Sequence, residues 1–170
     1  GLPKNYAGRT LTTGGHFAHL KIAEGCDKHC TYCVIPSIRG NYRSVPMEDI
    51  LAEAASLAAD GVKELILVAQ ETTLYGVDLY GKKTLPTLLK KLSEIEGIRW
   101  IRLLYCYPEH ITDELLDVMA AEDKVLNYMD IPIQHVSGKV LTAMNRTGDA
   151  RTLRELIARI RDRVPGIVLR

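Results

Sequence analysis

The chain has 170 residues, of which 46% are hydrophobic and 25% charged; this supports a sizeable core and excludes a disordered or low-complexity chain. Lys and Arg number 22 against 21 Asp and Glu, for a net charge of +1, so the overall charge gives no argument for a nucleic-acid partner. No apolar run approaches the roughly 20 residues that span a bilayer and no secretory signal is visible, so a reducing cytoplasm with no membrane partner is expected.

Residues 1–15 are polar, with glycines at positions 8, 14 and 15 after the first, and read as a lead-in arm or linker; residues 16–170 read as one core. Ala18, Leu20 and Ile22 alternate with Phe17, His19 and Lys21, the period of a strand. Pro46 followed by Glu48 and Asp49 starts a helix with its acids in the first turn; Ile50, Leu51, Ala54, Leu57 and Ala58 make its apolar face, and Gly61 stops it. Leu65–Ala69 is a continuous apolar run, as in a parallel strand covered on both sides. Thr84 is the expected cap of a helix carrying Leu85, Leu88, Leu89, Leu92 and Ile95, ended by Gly97. Ile98–Tyr105 is the next strand, Thr112 opens a helix through Leu115, Leu116, Val118 and Met119, and Tyr128–Ile133 is a fourth strand. Ser137 and Asp149 read as N-caps, the second of a helix with Leu153, Leu156, Ile157 and Ile160, and Pro165-Gly166 turns into a strand at Ile167–Leu169.

Alternating strands and helices define an α/β fold with a parallel sheet and right-handed crossovers. A (β/α)8 barrel takes about 250 residues, so five strands make an incomplete barrel or an open sheet. The chain begins Gly1-Leu2 without methionine and stops at Arg170 inside an apolar run, and both ends are expected to be cut from a longer chain.

The chemistry concentrates in the loop after the first strand, where Cys26, Cys30 and Cys33 are spaced C-x3-C-x2-C. Thiolates bind soft metals and iron–sulfur clusters, and three on one loop can hold three corners of a [4Fe–4S] cube, leaving the fourth iron open to a non-protein ligand. A zinc knuckle using His29 is the competing account, but structural zinc ligands come in two separated pairs, and His29 abuts Cys30. A disulfide framework does not suit an odd trio. Cys106, far along the chain in an apolar run, reads as a buried free thiol.

Sites in parallel α/β folds form at the carboxyl ends of strands. After the second strand come Gln70, Glu71 and Thr72; after the third, Tyr105-Cys106-Tyr107-Pro108-Glu109-His110; after the fourth, Gln134 and His135; after the fifth, Arg170. Polar groups follow every strand, and helix starts alone do not require Gln, His and Tyr there. Arg39 and Arg43 beside the cysteines are either solvated loop arginines or a fork for a carboxylate. The arginines from Arg146 to Arg163 are expected on the wet face of outer helices.

The C-x3-C-x2-C spacing with Tyr32 before the last cysteine resembles the signature of radical S-adenosylmethionine (SAM) enzymes. Together, GCDKHCTYCVIPSIRG, VAQETTLYGVD, YCYPEHIT and YMDIPIQHVSGKVLTAMNR resemble the methylthiotransferases over nearly the whole chain. IPSIRG, QETTLYGVD and DIPIQH are similar to the branch that modifies a small-subunit ribosomal protein; the alternatives are the sister branch that modifies tRNA adenosine, and a non-catalytic zinc module. The resemblance implies a partial (β/α)6 barrel truncated after about five parallel strands. It also implies that Cys26, Cys30 and Cys33 are the metal ligands of a catalytic [4Fe–4S] cluster and that SAM binds the free iron. Gln70, Glu71 and Thr72 are implied at the amino end of SAM, Tyr32 against adenine, Gln134 (and His135) at ribose or carboxylate, and Arg170 at the carboxylate. Ordinary loop polarity accounts for Gln70, Glu71 and Thr72 equally well.

The implied reaction adds a methylthio group to the β-carbon of an aspartate. The cluster gives one electron to SAM, and the resulting deoxyadenosyl radical takes a hydrogen from the substrate. Sulfur from a second cluster quenches the carbon radical, and another SAM supplies the methyl. An electron donor such as a flavodoxin or ferredoxin is implied as a partner. The N-terminal domain holding the second cluster and the C-terminal TRAM domain are not in this sequence, so the segment alone is expected not to complete methylthio transfer.

Overall fold

A computed structural model describes residues 14–170; the expected arm over 1–15 lies almost wholly outside those residues. In chain order the strands are β1 (Phe17–Lys21), β2 (Ala23–Glu24), β3 (Arg43–Ser44), β4 (Glu64–Val68), β5 (Trp100–Leu103), β6 (Val125–Met129) and β7 (Val168–Leu169). The helices are α1 (Ile35–Arg39), α2 (Met47–Ala59), α3 (Val77–Tyr80), α4 (Leu85–Ser93), α5 (Asp113–Ala121), α6 (Gly138–Ala143) and α7 (Ala150–Arg163), with a 3-10 turn at Pro108–His110.

Five strands form one sheet in the order β1-β4-β5-β6-β7, and every neighbouring pair is parallel. A chain that adds each strand beside the last is curling toward a barrel and stopping short of closure. Parallel strands here share register down to Leu20 opposite Leu67 and Leu67 opposite Leu103. Ala18, Leu20, Leu65, Leu67, Ile101 and Leu103 are at most 1% exposed, whereas their alternate neighbours are half-buried or exposed, so one sheet face carries the core. Helix α2 packs on β1, α4 on β5 and α5 on β6, burying Ile50, Leu88, Leu89, Leu92 and Leu116 completely. Each such side chain contributes about 1.5–3 kcal/mol on burial. The opposite face is mixed, with Ile66 and Val68 half-buried beside Arg102, which is paired to Glu64 at 2.6 Å and holds its guanidinium 4.9 Å from the Tyr128 ring centroid. The β4 run is therefore covered by helices on one side only, although its sequence reads as apolar throughout.

Several boundaries move from their predicted places. β6 begins at Val125 rather than Tyr128 and ends before Asp130, because Pro132 has no N–H to offer a ladder; Ile131 N–H instead donates to the Arg170 carbonyl at 2.9 Å. α4 ends at Ser93, short of Gly97. Thr84 occupies the N-cap position without capping, since its hydroxyl donates to the Tyr75 carbonyl at 3.3 Å. Ser137 likewise makes no side-chain cap, while Thr112 accepts from Leu115 N–H and Asp149 with Thr152 forms a full capping box.

The small sheet of β2 and β3, antiparallel with Ala23 opposite Ser44, has no counterpart in the sequence reading. It pinches the base of the cysteine loop, and α3 locks it there. Asp78 accepts from Ser44 N–H at 2.8 Å and from Ser44 Oγ at 2.6 Å, Gly76 N–H donates to Ser44 Oγ at 2.9 Å, and Tyr75 OH donates to the Val45 carbonyl at 2.9 Å. Gly76 has φ +89°, and a Cβ there falls 1.9 Å from Thr84 Oγ1, so no other residue fits this turn.

Candidate active site

The cysteine loop leaves β2 and returns at β3, held at both ends and in the middle. Gly25 N–H donates to Gln70 Oε1 at 2.8 Å, Cys26 N–H to the Gly40 carbonyl at 3.2 Å, and Tyr42 N–H to Asp27 Oδ1 at 3.1 Å. The far side rests on the turn after α6. There Thr31 N–H reaches the Met144 carbonyl at 3.2 Å, and Asn145 Nδ2 donates to the carbonyls of Lys28 and His29 at 3.2 and 3.0 Å. These bonds fix the backbone before any metal is added.

All three loop cysteines are free thiols, Cys30 buried and Cys26 and Cys33 half-buried. Burial first, opposed by a hydrogen bond from the Lys28 backbone and reinforced by the negative charge of Glu71, Cys30 and Cys33, pushes the Cys26 thiol up. A bound cation reverses that penalty. His29, Cys30, Cys33, Pro36 and Ser37 line an open pocket. Among the described residues no three His, Cys, Asp or Glu side chains gather around one point. Three soft thiolates on one pinned loop suit an iron–sulfur cluster.

Behind the loop stands Tyr107, buried, with its hydroxyl 3.8 Å from Cys30 Sγ. Two cations lie against its ring, Lys28 Nζ at 4.1 Å and the Arg146 guanidinium at 4.0 Å from the centroid. Arg146 also donates to the Pro132 carbonyl at 2.8 Å and to Tyr32 OH at 3.4 Å. It is only 7% exposed, correcting its expected place on the wet face. Arg159 and Arg163 do lie outside, paired to Asp113 and Asp117.

The other site residues distribute unevenly. Gln70 spends its carbonyl oxygen on the Gly25 N–H, and Thr72, fully buried, donates to the Leu104 carbonyl at 2.8 Å; both build the loop and sheet end. Glu71 is 1% exposed, accepts from Thr73 OH through Oε1, and leaves Oε2 buried without a partner. Burial lifts its carboxyl to about 7, against opposing pulls from Thr73 and Lys28. Tyr32 is 52% exposed at the loop's mouth. Gln134 is exposed with φ 63°, and His135 turns its Nδ1 back to accept from Ser137 N–H at 2.9 Å. Arg170 lies 3.7 Å from Asp130 across the end of β7, and Arg39 reaches Glu24 at 3.5 Å. Arg43 donates to the Arg39 carbonyl at 3.4 Å. Cys106 is a fully buried thiol raised by burial to about 12.

Sequence reasoning singled out neither Asn145 nor Lys83, named Tyr107 and His110 only among the polar residues at a strand end, and assigned Arg146 to a wet helix face. The stretch from Tyr105 to His110 was visible as a strand end, but only the fold shows that Tyr107 faces the cysteines.

A parallel half-barrel with three free thiols on its first carboxyl-end loop defines a class. The sequence model of the Radical SAM superfamily matches residues 20–170, and the chain belongs to that superfamily. It is 61% identical over 162 residues to the ribosomal protein uS12 methylthiotransferase RimO of Lachnoclostridium phytofermentans, covering 95% of this chain and 37% of that protein. It is 55% identical over 166 residues to the RimO of Alkaliphilus oremlandii, covering 98% and 38%. The chain thus spans under two-fifths of the length of these relatives. Among solved structures, the radical S-adenosylmethionine methyltransferase TsrM from Kitasatospora setae superposes with a TM-score of 0.68 at 19% identity, covering 90% of this chain and 30% of that one. The cobalamin-dependent enzyme OxsB gives 0.67 at 16%, covering 89% and 23%. These two establish the shared fold.

Proposed function

We propose that this chain is the radical-generating core of a methylthiotransferase acting on the β-carbon of an aspartate in a small-subunit ribosomal protein, with Cys26, Cys30 and Cys33 holding a [4Fe–4S] cluster. The observation that carries the reading is the pinned loop: three free thiols, fixed by Gln70, Gly40, Met144 and Asn145, at the carboxyl end of a parallel sheet. The relatives named for uS12 modification supply the substrate class.

When bound, the cluster and SAM supply one-electron cleavage of a carbon–sulfur bond and, through it, a hydrogen-abstracting radical. The chain's own work is to hold and shield. Cys30 sits under Tyr107, out of water. Tyr32 at the mouth is available to a flat base, and Glu71 Oε2, buried and unsatisfied, is an acceptor for an ammonium. Gln134 and Arg170 remain on the same rim as candidate contacts. Residues 1–15 serve as a lead-in to residues 16–170, and flanking domains supply the second cluster and a TRAM substrate domain. A flavodoxin- or ferredoxin-like donor provides electrons in a reducing cytoplasm. Among the described residues no helix is long and apolar enough to cross a membrane.

Anaerobic reconstitution with iron and sulfide, followed by dithionite-driven SAM cleavage, tests the core; a colourless, zinc-rich product without deoxyadenosine contradicts it. Mass analysis of ribosomal protein and of tRNA hydrolysate after expressing the full-length protein tests the substrate: a methylthio shift on tRNA assigns the sister branch.

A further inference from the structure

Two ammonium groups from separate parts of the chain converge on one histidine. Lys28 Nζ lies 2.6 Å from His110 Nε2, and Lys83 Nζ donates to the His110 carbonyl at 3.3 Å. Both lysines and the histidine are half-buried. An ammonium can only donate, so Nε2 is the acceptor and the imidazole is neutral. Burial, with the charges of Lys28 and Lys83, keeps it so by lowering His110 to about 4.

Among the described residues neither lysine has an ion-pair partner, in contrast to Lys21, Arg39, Arg102, Arg159, Arg163 and Arg170. One buried carboxylate, Glu71, acts on both lysines from beyond ion-pair distance, so the two positive charges face a single negative one. Glu71 faces Thr73, and Glu109 is exposed and accepts from Thr147 OH at 2.5 Å. Two half-hidden positive charges sharing a neutral neighbour are costly unless an anion completes them. Lys28 stands in the cysteine loop itself, between two of the cysteines, with its ammonium on the ring whose hydroxyl lies 3.8 Å from Cys30 Sγ, and His110 links Lys83 to it.

We infer that Lys28 and Lys83 form a carboxylate-binding site beside the cysteine loop, with His110 holding the two ammonium groups apart and in place. This deepens the radical SAM reading and rests on it for the ligand. Two carboxylates reach such a centre: that of the methionyl part of SAM, and the side chain of the substrate aspartate. The second gives the site a role in choosing its target, since an aspartate is thereby favoured over its amide.

Lys83→Gln is the decisive variant because it lies outside the cysteine loop, and Lys83→Arg is its charge-preserving counterpart. Anaerobic equilibrium dialysis on the reconstituted protein measures four ligands: SAM, decarboxylated SAM, a short peptide with a central aspartate, and the same peptide with asparagine. Lys83→Gln is expected to keep wild-type iron content and weaken one carboxylate ligand about tenfold, the worth of a charge-assisted hydrogen bond. Its carboxylate-free counterpart is unaffected, and Lys83→Arg recovers most of the loss. A loss on SAM assigns the site to the cofactor, and a loss on the aspartyl peptide assigns it to the substrate. Wild-type binding of both carboxylate ligands by Lys83→Gln, or equal weakening of a ligand and its carboxylate-free partner, overturns the inference. Failure of the wild-type protein to take up iron counts against the cluster reading instead; the peptide pair, run on metal-free protein, still decides the lysine site.

Discussion

The guanidinium of Arg146 stands 4.0 Å from the centre of the Tyr107 ring, and through that ring it supports the hydroxyl beside Cys30 Sγ. The same guanidinium joins Pro132 to Tyr32, so one side chain ties the segment after β6 and the segment after β5 to the cysteine loop. A desolvated cation–π contact contributes up to about 2 kcal/mol and a charged hydrogen bond about 1.5–3 kcal/mol. Arg146→Ala is therefore expected to lower stability by about 3 kcal/mol in urea unfolding. Arg146→Lys recovers less than half, because a point charge cannot hold both partners and face the ring. Equal stabilities for the two variants would contradict the forked role.

Gly25 is the tightest point of the loop. Its φ is +81°, and a Cβ there falls 2.1 Å from the Asn41 carbonyl oxygen and 2.6 Å from that of Gly40, both backbone atoms that cannot step aside. Gly25→Ala is expected to destabilise the chain by at least about 2 kcal/mol and to cut iron uptake several-fold on reconstitution. Normal iron content in a folded Gly25→Ala protein would show that the loop does not depend on this approach.

The outline of the fold was legible because helix faces such as Leu85-Leu88-Leu89-Leu92 and strand runs such as Leu65–Leu67 carry their period in the sequence. The cysteine trio was legible for a different reason: three soft ligands within eight residues need no tertiary knowledge. What stayed hidden depends on contacts between distant segments. Arg146 follows a helix on which charge normally faces water, and only the approach of Tyr107 and Pro132 buries it. Gln70 showed in the sequence as a polar strand-end residue, and the hydrogen bond its oxygen accepts from the Gly25 N–H depends on β4 lying beside β1. The β2–β3 ladder is two residues long on each side, too short to leave a pattern.

Glu71 predicts a pH dependence. Burial raises its carboxyl from 4.5 to about 7, so the folded chain holds this proton more tightly than the unfolded one. Its contribution to stability is present in full below about 4.5 and is lost as pH rises through about 7, by at most about 3 kcal/mol at 1.36 kcal/mol per pH unit. In metal-free protein, Glu71→Gln is expected to gain stability over wild type between pH 5 and pH 8.5, with the gain increasing across that range. A difference that stays flat with pH would place the charge in water.

The central claim is that Cys26, Cys30 and Cys33 jointly hold one cluster whose open corner takes SAM. Its most direct measurement is the iron and sulfide content, together with deoxyadenosine formation, of single Cys→Ser variants reconstituted without oxygen. Each substitution is predicted to leave the helical signal intact while lowering iron well below the wild-type level and abolishing cofactor cleavage. Wild-type iron and undiminished cleavage in any one of the three variants would contradict the account.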